Sequence, residues 1–427
     1  MGNEILAQMG RRYRQLWSIW GATGYRGLAA RLRSAAAARL IQPNSDLPVR
    51  RADVLAADLA HPVVAHSLYH SPGEPLTINW VIIPAAPRSG GHTTLFRIIR
   101  YLEDRGHTNR LHFYNVYGGD HLYYEKIARE SYGFTGQIKD LNNNMEDAHA
   151  VIATSWATAY PVFNSAAAAK KFYFVQDFEP SFYPVGAISL LAENTYRMGF
   201  QAITAGRWLS ERLASEFGMI AEAFEFGCDT SVYHLLPRFQ RSGIVFYARP
   251  EAARRGYELG MMALELFAQR NPDVQIHLYG EQLGAIPFPC THHGRISPLE
   301  LNELYNRCSA GLSLSLTNVS LVPHEMLAAG CIPVVNDAPQ NRMVLDNPYV
   351  EYADPYPQSL VAALENVFRV PAREALASAA SASVRNSTWE SAGATVENIL
   401  RRAVSDTELS SSVLEVSTDT PTALAHH

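Results

Sequence analysis

The sequence predicts an α/β protein of two consecutive doubly wound, Rossmann-like domains that face each other across a cleft. Three observations predict it. The 427 residues suffice for two domains of ordinary size. Short apolar runs alternate with helical stretches from about residue 77, and the same rhythm restarts near residue 244. Hydrophobic residues make up 47% of the chain and charged residues 18%, a balance that can build two full cores.

In the first half, strands are expected at 79–84, 111–116, 151–156, 172–177 and 201–204. A helix is expected over 92–106, closing at a glycine, with further helical segments near 161–170, 186–198 and 206–217. In the second half, strands are expected at 244–248, 274–279, 311–316 and 332–336. Between and after them, 255–270, 298–308, 323–329 and 357–369 read as helices. The helix over 255–270 places Leu259, Met262, Ala263, Leu266 and Phe267 on one face. The division that follows is a first domain over 46–235 and a second over 236–385. A helix over 386–405 is expected to pack back on the first domain, and 406–427, rich in Ser and Thr, reads as a disordered tail. Paired domains of this kind bind ligands between them, at the C-terminal ends of the strands.

Residues 1–45 form a basic helical extension, with Ile5, Met9, Tyr13, Leu16 and Trp20 at helical spacing. The favoured reading is a helix packed on the main body with a solvated arginine face. The other is an amphipathic helix whose residues 1–40 touch an anionic membrane surface. No run approaches the ~20 apolar residues that span a bilayer, and arginines interrupt any secretory leader. A soluble protein of the cytoplasm is expected, with the inner face of the membrane as the alternative location.

The net charge of −5 gives no global basic field, so nucleic acid is not an expected partner. Cys228, Cys290, Cys308 and Cys331 stand singly with no CxxC pair, and read as buried thiols. His292-His293 has no third ligand nearby, so no metal site is expected.

Four segments carry chemistry. Arg88-Ser-Gly90-Gly91-His92 follows the first strand and opens a helix, where free N–H groups favour anions; a plain tight turn is the bland alternative. It is neither GxGxxG nor a P-loop. In 247–256, Arg249 lies just past a strand and Arg254-Arg255 precede the next helix, a cluster suited to a diphosphate. In 311–335, a strand leads through a loop to a helix carrying Glu325 among Pro, Met, Leu and Ala. A carboxylate there can accept from ribose hydroxyls while the helix start faces phosphate. In 174–180, Asp177 and Glu179 alternate, so only one need point inward to activate a hydroxyl or steady a positive transition state.

The stretch HEMLAAGCIPVVND (324–337) resembles the donor-site signature of glycosyltransferase family 4, retaining enzymes of the GT-B fold. The resemblance extends through 227–237, 247–256, 278–282 and 292–308, and looks closest to bacterial rhamnosyltransferases that use dTDP-β-L-rhamnose for surface polysaccharide. It implies an acceptor domain followed by a donor domain, a nucleotide sugar as co-substrate and no metal or other cofactor. Glu325 then matches the residue that binds ribose, and Arg249 the diphosphate arginine with a catalytic role. Arg254 or Arg255 matches the basic residue after it. Gly90 and Gly91 match the glycine loop near diphosphate and acceptor. Tyr279-Gly280 and the backbone at Arg295-Ile296 match the nucleoside pocket. The acceptor implied is a glycan or lipid-linked glycan.

One position departs from the family. Its first glutamate falls at Thr317. That suits a 6-deoxyhexose held by groups around Thr317, Asn318, Ser320, Leu321 and Val322, or a loss of transfer activity. The leading expectation is transfer of L-rhamnose with retention. The alternatives are a non-catalytic binder of nucleotide sugar or glycan, and a nucleotide-sugar epimerase of the same architecture, for which no clear acid–base set is visible.

Overall fold

The computed structural model describes residues 47–416, apart from 64–67, 69, 88, 142–144 and 237–238; from 406 on it describes the backbone alone. The basic extension read at 1–45, Arg88 and residues 417–427 therefore lie outside the described residues.

From Ala52 onward the chain forms one unit containing two sheets. The first holds β1 (Thr77–Ile82), β2 (Thr108–Phe113), β3 (Gln137–Asp140), β4 (Ala150–Ala153), β5 (Lys170–Val175), β6 (Gln201–Ala205) and β7 (Ala221–Phe224). The second holds β8 (Gly243–Ala248), β9 (Ile276–Gly280), β10 (Thr291–His292), β11 (Cys308–Leu312), β12 (Ile332–Asn336) and β13 (Glu351–Ala353). Their orders are β3-β2-β1-β4-β5-β6-β7 and β10-β9-β8-β11-β12-β13, with every pairing parallel. In each sheet the chain leaves the first strand to one side and later returns to its other side. That switch opens a crevice beside β1 and beside β8. The central strands are apolar on both faces, as Ile78, Trp80, Val81 and Ile82 in β1 illustrate, so helices must cover both sides.

Where the elements differ from expectation, local chemistry explains it. The strand expected over 311–316 ends at Leu312. Beyond it, Ser315 N donates to Asn336 Oδ1 at 2.7 Å, and Ser315 O accepts from Asn336 Nδ2 and Gln340 Nε2, each at 3.1 Å. Side-chain amides replace ladder partners there, which an apolar pattern does not reveal. The helix expected over 161–170 instead spans Trp156–Asn164, because Ser155 and Thr158 cap it upstream of Pro161. The helix His121–Tyr132 escapes a periodicity search because it buries only Ile127 and Ala128. The edge strand β3 escapes because none of its residues is fully buried.

The last helix runs from Trp389 to Val416, past residue 406, where the sequence reads as a disordered tail. It lies against the helix Gly90–Asp104 of the first sheet. Glu397 receives His107 Nε2 at 3.1 Å and Arg401 Nε at 2.9 Å, fixing its register. Gly393 makes the close approach possible, since a Cβ there would fall 2.3 Å from the Tyr101 ring. Gly393→Ala is expected to cost about 1–3 kcal/mol. The check is a lowered urea midpoint at unchanged slope. Among the described residues no helix is long and apolar enough to cross a membrane.

Candidate functional site

The loops that follow β1, β5, β8 and β11 converge at the C-terminal edges of the two sheets. After β8 the chain makes a short turn, Ala253–Arg255, and enters the helix Tyr257–Arg270 through Gly256 at φ +58°. That left-handed residue swings Arg254 and Arg255 back toward the cleft. Arg255 donates to Ser315 Oγ at 2.7 Å and to Asn318 O at 2.9 Å. Burial lowers its pKa to about 10, which leaves it charged at neutral pH. Arg254 Nε lies 3.3 Å from Asp177 Oδ2, and its guanidinium sits 4.4 Å above the Phe182 ring. Arg249 differs from both. Among the described residues it has no hydrogen bond or ion pair, and its buried Nε has no partner. Its guanidinium stands 5.7 Å from the centre of the Tyr247 ring. Arg254 Nε also makes no hydrogen bond, but it is ion-paired with Asp177; of the three arginines, Arg249 is the one with neither a hydrogen bond nor an ion pair among the described residues.

Asp177 and Glu179 are both buried, where alternation required only one to point inward. The backbone breaks its alternation at Phe178 and turns into the short helix Glu179–Phe182. Asp177 Oδ1 accepts from Phe178 N and from Asn318 N, each at 2.9 Å. Burial raises its pKa, while the charges of Arg255 and Arg254 and the Thr317 hydroxyl oppose that rise. Glu179 is turned under the loop instead. Its oxygens accept from Trp156 N at 2.9 Å and Tyr173 Oη at 3.1 Å, and burial raises it to about 7. With both oxygens satisfied internally, it shapes the loop that presents Asp177.

That raised pKa has a sign. The folded state keeps the Glu179 proton up to about 7, whereas the unfolded chain releases it near 4.5. Its contribution to stability is therefore full below the unfolded value and is lost as pH rises through the folded one. The slope is up to about 1.4 kcal/mol per pH unit. Glu179→Gln keeps an acceptor for Trp156 N and is expected to flatten the decline. Urea midpoints measured between about pH 5 and 7 check this.

Glu325 lies in the helix Val322–Ala328, with Pro323 in its first turn. Its half-buried carboxyl has a pKa raised to about 7 by burial, with Arg97 lowering and Asp229 raising it. Arg97 comes from the helix Gly90–Asp104 and pairs with Asp229 at 3.4 Å. Sequence reasoning missed this pair, since an arginine in mid-helix reads as a solvated side chain. Tyr279 stacks on Tyr247 with centroids 4.7 Å apart, and its hydroxyl meets that of Tyr305 at 2.7 Å. It is sealed in the core, so Tyr247, half-buried, carries the more accessible ring. Gly280 ends β9, and its N donates to Gly294 O at 2.9 Å. Arg295 is exposed and paired with Glu281 at 2.6 Å, while Ile296 packs against the core.

Gly90 begins its helix in open space, and Gly91 faces the Gln176 side chain. Ser89 supplies no side-chain cap, so the first N–H groups stay available. In the 317–322 segment, Thr317 and Asn318 are buried beside Asp177. Asn318 Nδ2 donates to Gln176 O and Ala205 O, each at 2.9 Å. Asn318 is thus a bridge between the two sheets' loops, which limits what it can offer a sugar. Ser320 and Leu321 are half-buried, and Val322 opens the Glu325 helix. No cluster of three or more His, Cys, Asp or Glu positioned for a metal occurs among the described residues.

Comparison with known proteins agrees with the two-sheet architecture. Residues 133–205 match the family described as WsaF, N-terminal domain, and residues 242–365 match WsaF, C-terminal domain. The chain is 30% identical over 334 residues to the O-antigen biosynthesis protein RfbC of Myxococcus xanthus, covering 74% of this chain. It spans only 26% of that relative's length. Among solved structures, TarM superposes with a TM-score of 0.63 at 10% identity, covering 78% of this chain and all of TarM. Anabaena Alr3699/HepE in complex with UDP and glucose gives 0.59 at 12% identity, covering 76% of this chain and 99% of that one. WaaG, a glycosyltransferase involved in lipopolysaccharide biosynthesis, gives 0.52 at 12% identity, covering 76% and 99%. These likenesses establish the fold: the two facing parallel sheets are a GT-B architecture.

Proposed function

We propose that this chain is a glycosyltransferase of polysaccharide assembly. It takes a nucleoside-diphosphate sugar into the loops after β8 and β11 and passes the sugar to a glycan. The carrying observation is Arg249, an arginine without an internal partner at the end of β8, on the same cleft as Glu325. The relative named for O-antigen biosynthesis and the two WsaF matches support the same reading.

In this account the sugar's anomeric carbon leaves the diphosphate oxygen and bonds to an acceptor hydroxyl, whose proton passes to the departing phosphate. Arg249, with the N–H groups at the Gly90 and Glu325 helix starts, stabilises the charge on the leaving diphosphate. Glu325 accepts from the ribose hydroxyls. Asp177, near Arg254, adds negative potential on the acceptor side, where positive charge develops on the sugar. We further propose dTDP-β-L-rhamnose as donor, retention at the anomeric carbon and action in the cytoplasm. The motif over 324–337 supports the donor, and so does Thr317 in place of the glutamate expected for a fully hydroxylated hexose. No added cofactor or metal enters the scheme.

Titration with dTDP, UDP and GDP tests the donor assignment. Micromolar binding of dTDP ahead of the others is the expected result. Preference for UDP or GDP overturns the rhamnose assignment, and binding of none overturns the donor site itself.

A further inference from the structure

The chain passes between the two sheets twice. It leaves the first after β7 and enters the second at β8, between residues 225 and 242. It returns between the helix Arg373–Ser383, which packs on the Glu325 helix, and the helix Trp389–Val416, which packs on Gly90–Asp104. The two passages touch. Cys228 N donates to Ser387 O at 2.8 Å, and a Cβ on Gly227 would fall 2.6 Å from Trp389 N. Cys228 Sγ also lies 3.7 Å from His324 O, directly before Glu325. Rotation of one sheet against the other must bend this pair of segments, and the pivot abuts the helix that carries Glu325.

One side chain holds both passages. Arg97, in the helix Gly90–Asp104, donates to Asp229 Oδ2 at 3.4 Å, and its guanidinium stands 4.7 Å above the Trp389 ring. Asp229 is itself oriented. Its other oxygen accepts from Ser231 Oγ at 2.6 Å, and its carbonyl accepts from Tyr233 N at 2.8 Å, closing a turn. A guanidinium suits this place, because its plane lies on an aromatic face while its edge donates to a carboxylate. The ion pair is half-exposed on both sides, so it adds little to stability. Its place matters more than its strength: it ties the helix that opens at Gly90 to both segments on which the sheets turn.

We propose that Arg97 is a positioning residue that clamps both connecting segments, fixes the angle between the two sheets and so sets the spacing between the Gly90 helix start and Arg249. Its consequence for turnover rests on the glycosyltransferase reading, whereas the clamp itself is read without substrate. Spin labels at Leu122→Cys and Met262→Cys, exposed positions on helices of the first and second halves, report the distance between them by pulsed electron paramagnetic resonance on the full chain. A Cys290→Ser background leaves only buried native thiols. A narrow distance distribution is expected with Arg97, and one at least about twofold broader with Arg97→Ala. Arg97→Lys, which keeps a charge over the ring, is expected to restore part of the narrowing. Melting by circular dichroism confirms folding, and Arg97→Gln serves the same comparison should the alanine variant not fold. In transfer assays kcat is expected to fall about tenfold or more, with the KM for nucleotide sugar changed less. An unchanged distribution in the folded variant overturns the clamp. So does a loss of kcat that only tracks a lowered melting temperature, which would mark a structural pair. A broadened distribution together with no nucleotide binding by the wild type supports the clamp and overturns the donor reading alone.

Discussion

Replacing Arg249 with alanine is expected to weaken nucleoside-diphosphate binding about 10- to 100-fold while leaving the fold's stability almost unchanged. The two halves of that expectation have one cause. Arg249 has no hydrogen bond or ion pair among the described residues, so removing it costs only a 5.7 Å contact with the half-buried Tyr247 ring. A diphosphate would supply the missing acceptors, and a guanidinium fork can meet two phosphate oxygens at once. Because the leaving diphosphate gains charge as the sugar departs, turnover should fall further than binding, by about 100- to 1000-fold. Arg249→Lys should recover part of the affinity, since a point charge remains without the fork. Calorimetric titration with unfolding curves on the same samples checks both halves. A variant that loses stability in step with affinity would mark Arg249 as a structural residue.

Asp177→Ala should behave in the opposite way and damage stability and turnover together. The carboxylate joins the two sheets: it accepts from Asn318 N at 2.9 Å and faces Arg254 Nε at 3.3 Å. Removing it strands a buried N–H and a half-buried guanidinium, at a cost of about 3–5 kcal/mol. Asp177→Asn keeps an acceptor for Asn318 N but sets an amide against Arg254, and should lose less. Asn318→Ala breaks the same junction from the other side, through its bonds to Gln176 O and Ala205 O. In a double-mutant cycle the two should therefore fall short of additivity by at least about 0.5 kcal/mol. Additive losses in urea unfolding would mean that the two residues act separately.

What was legible in the sequence was local. Arg249 and Glu325 stand out because each follows a strand and opens a helix within one short stretch, and such βα units carry ligands at a known end. Residues 80–82 of β1 and 332–335 of β12 are readable because burial on both faces leaves a short apolar string. The junction was illegible for the opposite reason. Asp177 and Asn318 are 141 positions apart, and Arg97 and Asp229 are 132 apart. Nothing in either segment says which partner the fold will bring. Asp177 and Glu179 look like an alternating pair until the backbone turns at Phe178 and buries both. Tyr279 likewise reads as a pocket residue, yet its ring and hydroxyl are taken up by Tyr247 and Tyr305.

Mass spectrometry of the full chain incubated with a panel of nucleotide sugars and oligosaccharide acceptors reads sugar transfer directly. One acceptor is expected to gain a sugar as the matching nucleoside diphosphate is released, and Arg249→Ala to lose both signals. A nucleotide sugar that binds but is never consumed would contradict it and leave a binding protein. A sugar altered while still attached to its diphosphate would contradict it in favour of an epimerase.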